Sequence, residues 1–265
     1  MDRLANMEGT LIHASAKIGT GVKIGFGTRI GASAVIGDGC VIGDHCTIAQ
    51  EAGGAWKGRP LLLGEGSVVR SHTVLYEGSD IGADSQTGHH VLIREGTKCG
   101  PNLRIGSYSD IEGDCVIGDC ARFHGYAHIG RGSRLGNFVH LYSLTILLND
   151  PLPPSEAMEP VTLEDGVVVA VGTTVMPGAI MRVGSFAASR TVVAGEIPAG
   201  AVIEGPQGRI ATHVTFLANF QHGIRHPWTR NFAGRYPDWA QARLKALEES
   251  IIASRAGFLK DSRLN

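Results

Sequence analysis

An aliphatic residue, or a small stand-in, recurs at every sixth position of this chain, and that period restricts the fold more than any other feature. The first run is Ile18, Ile24, Ile30, Ile36, Ile42 and Ile48. It breaks and resumes in a new phase at Leu63, Val69, Leu75, Ile81, Thr87, Ile93, Cys99, Ile105, Ile111, Ile117, Phe123, Ile129, Leu135 and Leu141. A third run reads Leu163, Val169, Val175, Met181, Ala187 and Val193. A helix repeats every 3.6 residues and a half-buried strand every two, so neither produces this pattern. A stack of coils does.

Gly often follows the aliphatic residue, as in Ile18-Gly19, Ile36-Gly37, Ile81-Gly82, Ile105-Gly106 and Ile117-Gly118, with Asp38, Asp44, Asp114 and Asp119 close by. These residue types take the bend that a coil needs between strands. Four positions after the aliphatic residue stand small side chains, among them Ala34, Cys40, Cys46, Ser109 and Cys115, which fill a narrow interior. The expected fold is an all-β solenoid, a parallel β-helix with three hexads per turn. Residues eighteen apart then lie above one another at roughly the 4.8 Å spacing of strands.

The period places the solenoid domain at residues 1–205, with loop insertions at 49–62 and 143–161. The second insertion contains Asn149-Asp150-Pro151-Leu152-Pro153-Pro154, a proline-rich loop that cannot join a strand ladder. Each insertion either binds something or covers an exposed face. The pattern ends after Val193, and residues 206–265 form a tail with a helix at about 238–256. Ala240, Leu244, Leu247 and Ile251 make its apolar stripe, and Gly257 is its expected stop. That helix either caps the solenoid or packs on a neighbouring chain. His222, His226, Trp228, Arg230, Arg235, Tyr236 and Trp239 lie before or at its start, and suit either an adenine and phosphate or an anchoring strap.

With 24 basic and 25 acidic residues the chain has no electrostatic footprint for nucleic acid. The segment from Met1 to Thr10 lacks a basic stretch followed by an apolar run, and no apolar segment approaches membrane-spanning length, so the expectation is a cytoplasmic protein with no membrane partner. Cys40, Cys46, Cys99 and Cys115 fall at inward positions and read as buried thiols, whereas Cys120 falls in an outward phase and reads as a surface thiol. No Cys-x-x-Cys pair is present, and no metal is expected.

Outside the prism the eighteen-residue repeat stacks His72, His90, Tyr108 and Tyr126 in one column, with His89 beside it. Gly106, His124 and Tyr142 form a second column, and Arg104, Arg122 and His140 a third. Imidazoles and phenols there need water, a ligand or another subunit. The His89-His90 pair beside Gly88 is the candidate for chemistry.

The hexads, together with Val69-Arg70-Ser71-His72, the block Gln86-Thr87-Gly88-His89-His90-Val91-Leu92-Ile93-Arg94-Glu95 and Leu148-Asn149-Asp150-Pro151, resemble those of the hexapeptide-repeat acyltransferase superfamily, in particular its nucleotide-linked amino-sugar N-acetyltransferases. The resemblance covers about residues 10–205. It implies a left-handed parallel β-helix, a homotrimer with active sites between subunits, acetyl-CoA or another acyl-CoA as co-substrate, and a nucleotide-linked amino sugar as acceptor. It assigns catalysis to His89 and His90. Gln86, His72, Arg94, Glu95, Tyr108, Asn149 and Asp150 would bind the acceptor, and Gly88, Ala170, Gly172, Gly205 and Arg209 the acyl-CoA.

A His near neutrality suits the proton that a sugar ammonium loses before attacking a thioester. A backbone N–H exposed at Gly88 or at a later coil would steady the oxyanion. Three other readings remain at this point. One is acyl transfer to an amino acid or antibiotic, one a γ-type carbonic anhydrase using His124, His128 and His140, and one a non-catalytic scaffold.

Overall fold

The computed structural model describes residues 9–261, so the first eight residues of the expected solenoid domain and residues 262–265 of the tail lie outside the described residues. The chain divides into two compact units, Met1–Ser133 and Arg134–Asn265. Each is wound as a left-handed parallel β-helix.

In the first unit the strands are mostly two or three residues long and pair in parallel with the next coil. Along the first sheet, Val74 pairs with Leu92, Leu92 with Asp110 and Asp110 with His128. The second sheet pairs Asp80 with Lys98 and Lys98 with Val116, and the third pairs Gln86 with Arg104 and Arg104 with Arg122. The sixth-position residues point inward: Ile48, Leu75, Ile93, Ile111 and Ile129 are fully buried. Burying each such side chain stabilises the coil by about 1.5–3 kcal/mol relative to exposure. Ala34, Cys40, Cys46, Ser109 and Cys115 fill the interior between them.

Among the described residues the first strand is Leu11–Ile12, one hexad before the first residue of the sequence pattern. Winding also persists beyond Val193. Glu196–Ile197 and Ala201–Glu204 still pair in parallel with Ile180–Met181 and Phe186–Ala187. The step from Val193 to Ile197 is four residues instead of six, and this shortened corner hides the last strands from a period search.

The first insertion is a fixed wall. After Gln50 the chain makes a single 3-10 turn, Gly54–Trp56, and returns at Leu61–Leu63. The buried Glu77 carboxylate accepts the N–H groups of Ala52 and Gly58 at 3.0 and 2.8 Å and the Ser33 hydroxyl at 3.0 Å. Trp56 lies over Gly78 and Gly96, where an added Cβ would come within 2.6 and 2.5 Å of the indole. The loop therefore covers a corner.

Cys120 is fully buried, contrary to its outward phase. It sits at the corner between the second and third sheets, where Arg104 and Arg122 fold back onto the Asp84 and Asn102 carbonyls. Arg104 and Arg122 of the third column are accordingly tied to the coil backbone instead of standing free.

In the second unit, Arg134 pairs with Thr162 and Thr162 with Ile180, while His140 pairs with Val168 and Val168 with Phe186. The solenoid leaves through an antiparallel hairpin between Ala201–Glu204 and Arg209–His213. The tail then packs on its own solenoid. Trp228 donates its indole N–H to the Gly166 carbonyl at 3.1 Å, and the Tyr236 hydroxyl meets His140 Nε2 at 2.5 Å. His140, expected to need an outside partner, is buried beneath these two rings.

The C-terminal helix, Gln241–Asp261, follows a 3-10 turn at Asp238–Ala240. Leu247 meets Gly166 and Ile251 meets Gly184, two corner glycines with positive φ. The helix passes through Gly257 without stopping. A glycine in a helix costs only about 1 kcal/mol, and Phe258 packs on His213 with ring centroids 5.3 Å apart.

Candidate functional site

The corner between the third and first sheets of the first unit carries a continuous stack of rings. His45 and His72 are stacked at 5.2 Å, His72 and His90 at 4.6 Å, His90 and Tyr108 at 4.9 Å, and Tyr108 and Tyr126 at 5.1 Å. Phe26 closes the lower end edge-on, 5.6 Å from His45. Every stacked residue has positive φ, from 54° at His45 to 62° at His72. Such a backbone costs a non-glycine residue about 1–2 kcal/mol, while each ring contact returns about 0.5–1.5 kcal/mol. The strained corner and the stack are thus of comparable size and opposite sign.

Sequence spacing finds four members of this stack but not His45. The first insertion separates His45 from His72 by more than one coil, although each stands three residues after its inward aliphatic residue, Ile42 or Val69. Position within the hexad is the usable signal, and absolute spacing is not.

His90 is held between two rings, and His89 is the freer imidazole. Its Nδ1 lies 2.6 Å from the Ser71 hydroxyl, and its backbone N–H donates to the Ser107 hydroxyl at 3.0 Å. Where Nδ1–H donates to Ser71, the Nε2 lone pair is left to accept a proton. Gln86 lies on the strand that leads into this corner, so Gln86, His72, His89, His90 and Tyr108 share one edge.

Gly88 has a different task from the one its sequence suggests. Its N–H donates to the Ile105 carbonyl at 2.6 Å, so it is not open to an oxyanion. An added Cβ would strike the Ser107 backbone, which explains the glycine by close passage of successive coils.

Arg94 and Glu95 lie at the far end of the strand Leu92–Ile93, at the next corner. There the guanidinium bonds the largely buried Glu95 carboxylate at 2.8 and 3.2 Å. Closeness in sequence to His90 does not bring them to the same edge.

The outer face of the first sheet carries a pair that spacing alone does not bring forward. His128 Nδ1 lies 2.8 Å from Asp110 Oδ2, on paired residues of adjacent strands. The hydrogen bond that the His128 ring donates to Asp110 raises the His128 pKa above its ordinary value, against the opposing effect of burial. The eighteen-residue register is the signal that would have revealed it.

The remaining expected residues belong to the second unit. The Asn149 carbonyl accepts the Glu159 N–H at 2.8 Å. Asp150 organises the proline-rich loop by accepting the Leu152 and Ser155 N–H groups at 3.0 and 2.9 Å and the Ser155 hydroxyl at 2.6 Å. The Ser155 hydroxyl is the main cause holding its carboxyl pKa below the usual range. Ala170 donates its N–H to Ala187 at 2.9 Å, and Gly172 takes φ 68° at the next corner position. Gly205 turns the exit hairpin with φ 78°, and Arg209 pairs with Glu204 at 3.2 Å. Among the described residues no three His, Cys, Asp or Glu side chains gather as a metal ion would require, and His124, His128 and His140 form no such group. No helix among the described residues is long and apolar enough to cross a membrane.

The family described as bacterial transferase hexapeptide (six repeats) matches residues 21–53. The bifunctional protein GlmU of Marinobacter nauticus is 28% identical over 153 residues, which is 56% of this chain. The chain spans 32% of the length of that relative. Among solved structures, the Arabidopsis UDP-N-acetylglucosamine acyltransferase superposes with a TM-score of 0.62 at 19% identity, over 77% of this chain and 73% of that one. This likeness establishes a common fold.

Proposed function

We propose that this chain, which carries the hexapeptide repeat of bacterial transferases, is an acyl-CoA-dependent N-acyltransferase. It moves an acetyl or related acyl group to the amine of a nucleotide-linked amino sugar. The observation that carries the reading is His89 beside the ring stack, with Nδ1 engaged by Ser71 and Nε2 without a partner among the described residues, on a fold shared with a sugar-nucleotide acyltransferase. The reading places the protein in the cytoplasm as a homotrimer with sites between subunits, and it needs no metal.

The ammonium of the acceptor sugar gives a proton to His89 Nε2, and the free amine attacks the thioester carbonyl. The new C–N bond forms as the carbonyl π electrons move to oxygen. Collapse then expels the CoA thiolate, which takes the proton held by His89, while the nitrogen sheds its second proton to water and leaves a neutral amide. Ser71 holds the imidazole in the receptive tautomer, and His90, fixed by its two ring neighbours, shapes the edge on which the acceptor rests. Gln86, His72 and Tyr108 border that edge. Arg94, Glu95, Asn149 and Asp150 contact the acceptor in this reading only where another subunit completes the site. Gly88, Ala170, Gly172, Gly205 and Arg209 line the acyl-CoA path by shape and charge.

The test is release of free CoA thiol from acetyl-CoA and longer acyl-CoAs against a panel of amino-sugar nucleotides, amino acids and aminoglycosides. Turnover only with an amino-sugar nucleotide supports the reading, with His89→Gln lowering kcat by about a hundredfold at little change in KM. No turnover with any such nucleotide overturns it.

A further inference from the structure

Residues 214–226 of the second unit form a finger anchored at both ends, with residues 218–225 all exposed between the anchors. One anchor is His213 and Val214, the other is Trp228, and all three are buried. Between them Ala218–Asn219 and Ile224–Arg225 pair as a short antiparallel ladder. The Asn219 side chain accepts the His222 N–H at 3.2 Å, and Gly223 supplies φ 65°. Two strands of two residues do not sustain such a projection alone. Yet Phe220 is 81% exposed, and Phe216 and Ile224 are exposed as well.

Charge identifies what covers it. Residues 206–237 contain four arginines and no Asp or Glu. Residues 206–265 hold nine basic and four acidic residues, so residues 1–205 hold 24 − 9 = 15 basic and 25 − 4 = 21 acidic ones. Arg209 and Arg230 are paired with Glu204 and Glu248. Arg225, Arg235 and Arg255 have no ion-pair partner among the described residues, and Arg255 lies over the Phe216 ring at 4.3 Å. The same chain thus pairs a cationic, aromatic projection with an acidic solenoid.

We propose that the finger is a clasp for a second copy of this chain, its Phe220 and Arg225 docking on the neighbour's net-acidic solenoid. An anionic membrane would accept similar groups, but the opposite charge already present in the partner copy favours self-association. The inference rests on the self-association proposed above and not on acyl transfer.

Sedimentation of the full chain over a concentration series tests it, with Phe220→Ser and Arg225→Glu compared with wild type at low and high salt. Wild type is expected to sediment well above its 28.0 kDa monomer. Each variant should keep the wild-type circular dichroism and weaken association by about tenfold or more, with the Arg225→Glu effect largest at low salt. A wild-type monomer at the highest concentration reached overturns both the clasp and the proposed assembly. Assembly indifferent to both substitutions overturns the clasp alone. So does binding to phosphatidylglycerol vesicles that Phe220→Ser abolishes while assembly persists. Release of CoA thiol, measured on the same samples, reports separately on the chemistry.

Discussion

His72 and His90 lie face to face, with ring centroids 4.6 Å apart and planes 2° from parallel, each on a backbone with positive φ. Ring contact and backbone strain therefore oppose one another at the same residue. His90→Ala removes two ring contacts but keeps the strain, and should lower unfolding free energy by about 1–2 kcal/mol. His90→Gly removes both and should be about 1 kcal/mol more stable than the alanine variant. Urea unfolding measures the difference, and a less stable glycine variant would contradict the strain argument.

Glu77 fastens the first insertion through two backbone N–H groups and one hydroxyl. Glu77→Ala leaves those donors without their carboxylate and should destabilise the protein on the order of 3 kcal/mol. Hydrogen exchange should accelerate at the Ala52 and Gly58 amides before it does in the coils. Unchanged protection there would mean that Trp56 alone holds the loop.

His128 owes its raised pKa first to the hydrogen bond it donates to Asp110. A group whose folded pKa exceeds its unfolded value contributes stability that is fully present below the unfolded value, near 6.5, and is lost as pH rises through the folded one. The stability difference between wild type and Asp110→Asn should accordingly shrink from mild acid toward neutral and basic pH. His213 and His226, lowered chiefly by burial, act in the opposite direction in both proteins and cancel in this comparison. Titration of the His128 ring protons by NMR provides the direct check, with the midpoint falling in the asparagine variant.

All five cysteines are buried and none forms a disulfide, and burial pushes the Cys115 thiol up to about 11 and the Cys40, Cys46 and Cys99 thiols upward as well. Native protein should react with Ellman's reagent at neutral pH at least about a hundredfold more slowly than unfolded protein. All five thiols should appear in guanidinium. One fast thiol in the native state would contradict the burial of Cys120.

The coil is legible in the sequence because every turn repeats one simple demand, an inward aliphatic residue followed by a bend, met alike at Leu75, Ile93, Ile111 and Ile129. The column of rings follows from the same register. What escapes is whatever breaks or crosses that register. The shortened step before Ile197 hides the last strands, and the insertion hides His45. His140 reads as open because its cover, Tyr236, comes from a distant stretch with no repeat. Sequence proximity groups Arg94 and Glu95 with His90, yet a few residues along a coil of this kind is the next face of the prism. Gly88 illustrates the limit of residue type alone, since the same glycine suits an exposed amide and a tight passage between coils, and only the Ile105 acceptor decides.

From His45 to His72 the chain spends 72 − 45 = 27 residues where the next rung takes 90 − 72 = 18, yet the rings on either side of the detour still stack at 5.2 Å. The nine additional residues are silent to the axial rise. Scaffold and ornament are consequently separable in this molecule: a bridge of another length between Gln50 and Leu61 would redraw the periphery while leaving the pitch of the rungs untouched, and specificity can drift there without the frame having to move.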